Sequence, residues 1–218
     1  MALCCASVSQ IFASEISGKI ILQKRRPEKT VVSAVYDLRG VALSSKRSAG
    51  PAGNPYQRVA IWLESEAPVA APPIKAMMRQ RNRTLDPGLL VIPVGSTIDF
   101  PNLDPIFHNI FSLSRTQSFD LGYYPEGRSR SINFPRPGIV QVYCHIHPNM
   151  YAAIVVTESR WFGKPSEDGS FAWHDVPPGT YRLCVWQKST GIAHKVIEVP
   201  VAGAAQVTVS IPDVDPEN

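Results

Sequence analysis

No stretch of this chain sustains an apolar repeat long enough for a helix; short runs of Val, Ile, Tyr, Phe and Trp recur instead, cut repeatedly by proline and glycine. "RVAIWLES" (58–65), "GIVQVYC" (138–144), "YAAIVVT" (151–157) and "TYRLCVWQ" (180–187) either alternate apolar with polar residues or are apolar throughout. Half-buried and doubly buried strands read this way. The 20 prolines and 14 glycines are poorly suited to strand interiors and mark the turns between them. The expectation is an all-β chain built of sandwiches or barrels. Its 218 residues, 44% of them hydrophobic, suffice for one large core or two smaller ones.

Charge excludes little but is informative. A net +4 over this length makes no electrostatic case for nucleic acid. Two short basic clusters, Lys24-Arg25-Arg26 and Arg79, Arg81, Arg83, read first as solvated surface and second as a docking face for an acidic partner. No run approaches the roughly 20 apolar residues of a spanning helix. The opening "MALCCASVSQIFASEISGK" is mildly apolar with small residues, as in a weak export signal over residues 1–16, yet it lacks a basic start; a frayed tail is the other reading. Removal of that segment would take Cys4 and Cys5 with it and leave Cys144 and Cys184, which form no disulfide framework. Cys184 sits in an alternating strand and is expected in a core as a small hydrophobe.

Cys144 is different. "VYCHIHPNMY" (142–151) packs Cys144, His145, His147 and Met150 into seven positions. A structural zinc corner, a cysteine nucleophile with a histidine base, and a copper ligand all use a cysteine beside histidines. Zinc usually asks for a second Cys or His pair in a similar loop, and a nucleophile for an orienting third group; neither is visible. An electron-transfer copper site takes two imidazoles, one thiolate and a weak axial thioether. Cys144, His147 and Met150 provide three of these, and His108, in "NLDPIFHNIFSLS" and 36 positions upstream, provides the fourth. His145 follows Cys144 directly, so on a strand it should face the opposite side. His174 and His194 have no such neighbours and are expected in structural or solvated roles.

The runs "LDPGLLVIPVGSTIDFPNLDPIFHNIFSL" and "SRSINFPRPGIVQVYCHIHPNMYAAIVV" resemble the cupredoxins, the small blue-copper electron carriers. Among them the short C-x-x-H-x-x-M loop is amicyanin-like, of the type met in periplasmic methylamine utilisation. The resemblance implies a Greek-key β-sandwich with one type 1 copper per chain, His108, Cys144 and His147 as strong ligands and Met150 as the axial one. It also implies that Asn109 ties the two ligand loops together by hydrogen bonds, that the His147 edge is the electron exit, and that Pro148, Tyr151 and Phe107 are candidates for a docking patch, with core packing preferred for Phe107.

A second resemblance covers "PSEDGSFAWHDVPPGTYRLCVWQ" (165–187), which is similar to the carboxypeptidase regulatory-like, transthyretin-like β-sandwich. Its earlier strands are expected far upstream, in "SGKIIL", "VYDLRGVALS" and "RVAIWLES". The implied organisation is a discontinuous sandwich from residues 17–74 and 158–213, a cupredoxin domain over 75–157 inserted in one of its loops, and a short tail at 214–218. The alternative attaches the N-terminal strands to the copper sheets. Functionally the reading implies a periplasmic one-electron carrier between redox partner proteins, a dehydrogenase donor or a cytochrome-type acceptor. A copper-holding or surface-binding module is the alternative. With no poised carboxylate pair and no second copper-ligand set in view, the chain is expected not to be an enzyme.

Overall fold

A computed structural model describes residues 14–24, 53–201 and 203–213; Cys4, Cys5, Arg25, Arg26 and the "VYDLRGVALS" run lie outside them. The strands are β1 (Ser14–Lys24), β2 (Val59–Glu64), β3 (Lys75–Met77), β4 (Arg79–Arg81), β5 (Thr84–Asp86), β6 (Leu89–Pro93), β7 (Ser96–Pro101), β8 (His108–Leu113) and β9 (Ser118–Tyr124). They continue with β10 (Ser129–Phe134), β11 (Gly138–Tyr143), β12 (Tyr151–Thr157), β13 (Phe162–Gly163), β14 (Ser170–Val176), β15 (Gly179–Gln187), β16 (Gly191–Val199) and β17 (Ala204–Asp213). Among the described residues the one helical element is the short 3-10 turn Pro55–Arg58. The all-β reading of the sequence therefore holds.

Four sheets carry the architecture. One, in the order β14-β1-β17, faces another, β13-β2-β15-β16; a third, β6-β12-β11-β8-β9, faces a fourth, β10-β7-β3, and β4 and β5 form a separate hairpin. β2 pairs antiparallel with β15, placing Trp62 opposite Cys184 and Ile61 opposite Val185. Strands from either side of residues 75–157 thus belong to one sheet. β1, from the N-terminal side, lies in the facing sheet, parallel to β17 and antiparallel to β14.

Strand periodicity explains the layering. In β17 the residues Ala205, Val207, Val209 and Ile211 point inward and their neighbours outward, so this strand buries one face. β2 and β15 bury both. Val59, Ile61 and Leu63 of β2 meet Leu183 and Val185 of β15 in the core shared with β1 and β17. The alternate residues Ala60, Trp62, Cys184 and Trp186 face the other way, against Leu89, Ala153 and Val155 of β6 and β12. β12 likewise sends Ala152, Ile154 and Val156 into the core of the second sandwich. Strands buried on both faces need apolar residues at every position, which is why "VAIWL" and "AAIVV" lack alternation. The two sandwiches consequently abut through an apolar layer. Cys184 is buried as expected, though in this shared layer.

Trp186 is almost wholly buried there. Truncation of Trp186 to alanine is expected to cost about 3–5 kcal/mol, the range for emptying an indole site, measured by denaturant unfolding. A loss below about 1 kcal/mol would mean that the layer contributes little.

Candidate metal centre

Parity along β11 aims Cys144 inward. Val140 and Val142 enter the core, and Cys144, one residue past the strand end, keeps the same side at 5% exposure. His108 opens β8 and is fully buried on the face that also carries Ile110. The chain then turns after Cys144, with Met150 N–H donating to His147 O at 2.9 Å, and this closed turn brings His147 back over the same point. Three donor atoms converge. His108 Nδ1 lies 3.7 Å from Cys144 Sγ, His147 Nδ1 lies 3.6 Å from it, and the two Nδ1 atoms are 3.1 Å apart. These are separations expected of donors sharing one first-row ion through bonds of about 2.0–2.3 Å. Met150 is fully buried in the same core cluster as Cys144.

Asp104 is a site residue that sequence reasoning misses. Its Oδ2 is 2.8 Å from His108 Nε2, and both groups are buried. A carboxylate only accepts, so Nε2 carries the proton and Nδ1 presents its lone pair to the centre. Asp104 is itself gripped: it accepts from the backbone N–H of Asn82 at 2.6 Å and of Arg83 at 2.9 Å. Those two residues are the turn between β4 and β5, with φ of 55° and 56°. This is the left-handed pair that a two-residue hairpin demands. Burial alone would raise the Asp104 carboxyl, but the Arg83 amide, the His108 ring and the Asn82 amide together hold it below the ordinary aspartate value. Gln80, the inward residue of β4, seats the hairpin by donating to Tyr124 Oη at 2.6 Å and to Phe100 O at 3.1 Å. The only hint in the sequence is an aspartate four residues before a ligand-type histidine on a proline-flanked loop.

The His147 imidazole is held below its usual pKa, first by burial and then by the neighbouring His108 and Arg83. The neutral ring, which has a free lone pair, is the form a metal binds.

Other expected residues fall differently. His145 is exposed and lies outside the converging set, with its ring 4.0 Å from that of Phe111 and 6.5 Å from that of Tyr123. His174 and His194 are exposed in the other sandwich. The Asn109 side chain does not reach across to the Cys144–Met150 turn. Its Nδ2 donates to Asp120 Oδ1 at 2.6 Å, while its buried Oδ1 has no partner. Asn109 follows His108 directly, so its side chain lies on the other face of β8, beside β9. Phe107, expected in the core, is 56% exposed because it precedes the strand on the open loop. Tyr151, by contrast, packs against the layer between the sandwiches beneath Lys188 Nζ, 3.5 Å from its ring centre, and forms no part of the loop surface.

No family model matches the chain, and no curated protein matches it. Solved structures do. A copper-containing nitrite reductase from Thermus scotoductus SA-01 is 27% identical with a TM-score of 0.38, over 42% of this chain and 25% of that one. A purple cupredoxin from Nitrosopumilus maritimus is 26% identical with a TM-score of 0.35, over 38% of this chain and 99% of that one. An amicyanin variant in its reduced copper(I) form is 20% identical with a TM-score of 0.36, over 44% of this chain and 98% of that one. This chain thus spans a quarter of the nitrite reductase's length. At such TM-scores these are likenesses only, and the sheet order and donor set have to bear the reading. One correction follows. The expectation from sequence excludes an enzyme, but the first of these structures is by name an enzyme, so a lone copper-type sandwich is no ground for that exclusion.

Proposed function

We propose that the chain is a type 1 copper protein that carries single electrons between redox partners. The observation that carries this reading is the convergence of His108 Nδ1, Cys144 Sγ and His147 Nδ1, with Met150 buried in the same core cluster as Cys144. Two imidazoles, a thiolate and a thioether are the donor set of a blue-copper site, whereas zinc sites favour a closed set of Cys and His without a thioether. Copper bound there would supply a one-electron couple.

The chain's own residues supply rigidity. β8 and β11 hold His108 and Cys144 from adjacent strands of one sheet. Asp104 fixes the His108 tautomer, and the β4–β5 turn fixes Asp104. A site held so firmly needs little rearrangement between oxidation states, which favours fast transfer. His147 is the one imidazole of the pair that is not fully buried, and its edge is the exit toward a partner. The division into a copper domain over 75–157 and a discontinuous, transthyretin-like sandwich over 17–74 and 158–213 belongs to the same proposal, supported by the pairing of β2 with β15. So does a periplasmic setting; among the described residues no helix is long and apolar enough to cross a membrane.

Copper(II) added to the purified chain should bind one equivalent and give an intense visible thiolate-to-copper band, with a reversible one-electron potential. A colourless or irreversibly reduced product would defeat the proposal. Asp104→Asn should weaken metal retention by about 10- to 100-fold, the usual effect of removing a ligand's carboxylate partner, in a chelator competition. Unchanged retention would mean that the carboxylate does not orient His108.

A further inference from the structure

The end of the sandwich that carries His147 is uneven in charge. Around the exposed Phe107 and Ile146 the acidic groups are few or engaged. Asp104 is buried against His108 and two amides, and Asp86 on β5 stands opposite Arg79 across the hairpin and faces Lys164. Exposed Glu126 and Asp120 are the remaining acids here, and Asp120, on the His145 side, already accepts from Asn109 Nδ2 and Gly122 N–H. The cations are more numerous. Arg79 and Arg81 occupy the outward positions of β4, since Gln80 between them points into the core. Arg83 sits at the hairpin tip, whose amide is one carboxylate away from His108. Arg128 lies in the adjoining turn, its carbonyl accepting from Asn102 N–H at 2.9 Å, and Asn102 in turn bridges to Gln80. Among the described residues none of these four arginines forms an ion pair, and all four are exposed.

Guanidinia left unpaired on a rigid hairpin beside an apolar patch are suited to carboxylates arriving from elsewhere. Their combined field also steers an approaching anionic surface toward the site. We propose that this end of the molecule, with Phe107 and Ile146 at its apolar centre and Arg79, Arg81, Arg83 and Arg128 along one margin, docks a redox protein whose own face is acidic. The inference rests on the electron-carrier reading above and names the partner's chemistry. The transfer it serves moves one electron and no atoms. The reduced chain loses one electron, and the partner's oxidised haem or iron–sulfur centre gains it.

The test compares two oxidants of the reduced, copper-loaded chain in stopped flow: an acidic high-potential iron–sulfur protein and a basic c-type cytochrome. The acidic protein should react faster at about 0.01 M salt and lose that advantage by about 0.15 M, where charges are screened over about 8 Å. The triple variant Arg79→Gln, Arg81→Gln, Arg128→Gln should slow the acidic oxidant about tenfold at low salt while leaving the visible band unchanged. Arg83 is kept because its amide holds Asp104. A control triple with the same charge loss, Arg58→Gln, Arg115→Gln, Lys195→Gln, should change the rate less than about twofold. A salt-independent rate, an equal effect of the control triple, or faster reaction with the basic cytochrome would overturn the proposal. Binding of the acidic protein to the copper-free chain, mapped by amide shifts at residues 79–83 and 103–107, separates the two readings. Shifts without a visible band would sink the carrier and keep the docking face. A band without salt-sensitive shifts would do the reverse.

Discussion

Cys144→Ser loaded with copper is expected to show no intense visible band while keeping its fold. The band requires charge transfer from a thiolate. Among the described residues the other free cysteine is Cys184, whose thiol burial pushes up to about 12. That sulfur also belongs to the layer between the sandwiches, away from the two histidines. Serine is close to cysteine in volume, and Cys144 lies one residue past the end of β11, so the loss of stability should be modest, about 1–2 kcal/mol. Met150→Leu provides the contrast. It conserves volume at a fully buried position and should cost less than about 1.5 kcal/mol, retaining colour with a shifted potential, since the axial donor tunes a site of this kind without creating its charge-transfer band. Equal colour in Cys144→Ser, read by absorption and near-ultraviolet circular dichroism, would remove the thiolate from the site.

Position-specific loss is the second large effect expected. His147→Gly should abolish the band or alter it profoundly, and added imidazole should restore part of it. The Nδ1 atom of His147 is one of the three donors that converge among the described residues, and the ring reaches the surface, so a free imidazole can enter the space it leaves. His145→Ala should leave the spectrum nearly unchanged. Its ring rests on Phe111 and faces the Asp120 side of the sheet, and its removal should cost about 0.5–1.5 kcal/mol, the scale of one aromatic pair. The result that would reverse the assignment is bleaching by His145→Ala with colour preserved in His147→Gly.

These two histidines also mark where a sequence is readable and where it is not. Strand parity is a local property: Val140, Val142 and Cys144 share a face because successive side chains alternate, and that places His145 on the other side without any knowledge of the fold. The C-x-x-H-x-x-M spacing is equally local, since a tight turn within seven residues can return only certain side chains to its own start. The all-β class was legible for the same reason, from runs too short and too β-branched to be helices. The fourth donor, His108, was accessible through motif resemblance, because it sits between apolar residues in the run "PIFHNIF".

What the sequence could not disclose depends on neighbours brought from elsewhere in the chain. Asp104 is a polar residue in a loop until the β4–β5 turn, some twenty positions earlier, aims two amides at its carboxylate. Asn109 is expected to bridge the ligand loops, but its side chain is claimed by Asp120 on the adjoining strand, a pairing set by the register of β8 with β9. Phe107 is exposed because nothing in the fold arrives to cover its loop, and Tyr151 is covered because a second sandwich does. Periodicity and turn residues therefore determined the strands and the inward face of Cys144 by themselves, since each acts over a few covalent bonds, whereas the proposed donor set also drew on the family resemblance. The carboxylate behind His108, the packing of one sandwich on the other and the arginine margin were decided only by tertiary structure, because burial and long-range hydrogen bonding exist only once distant strands have met.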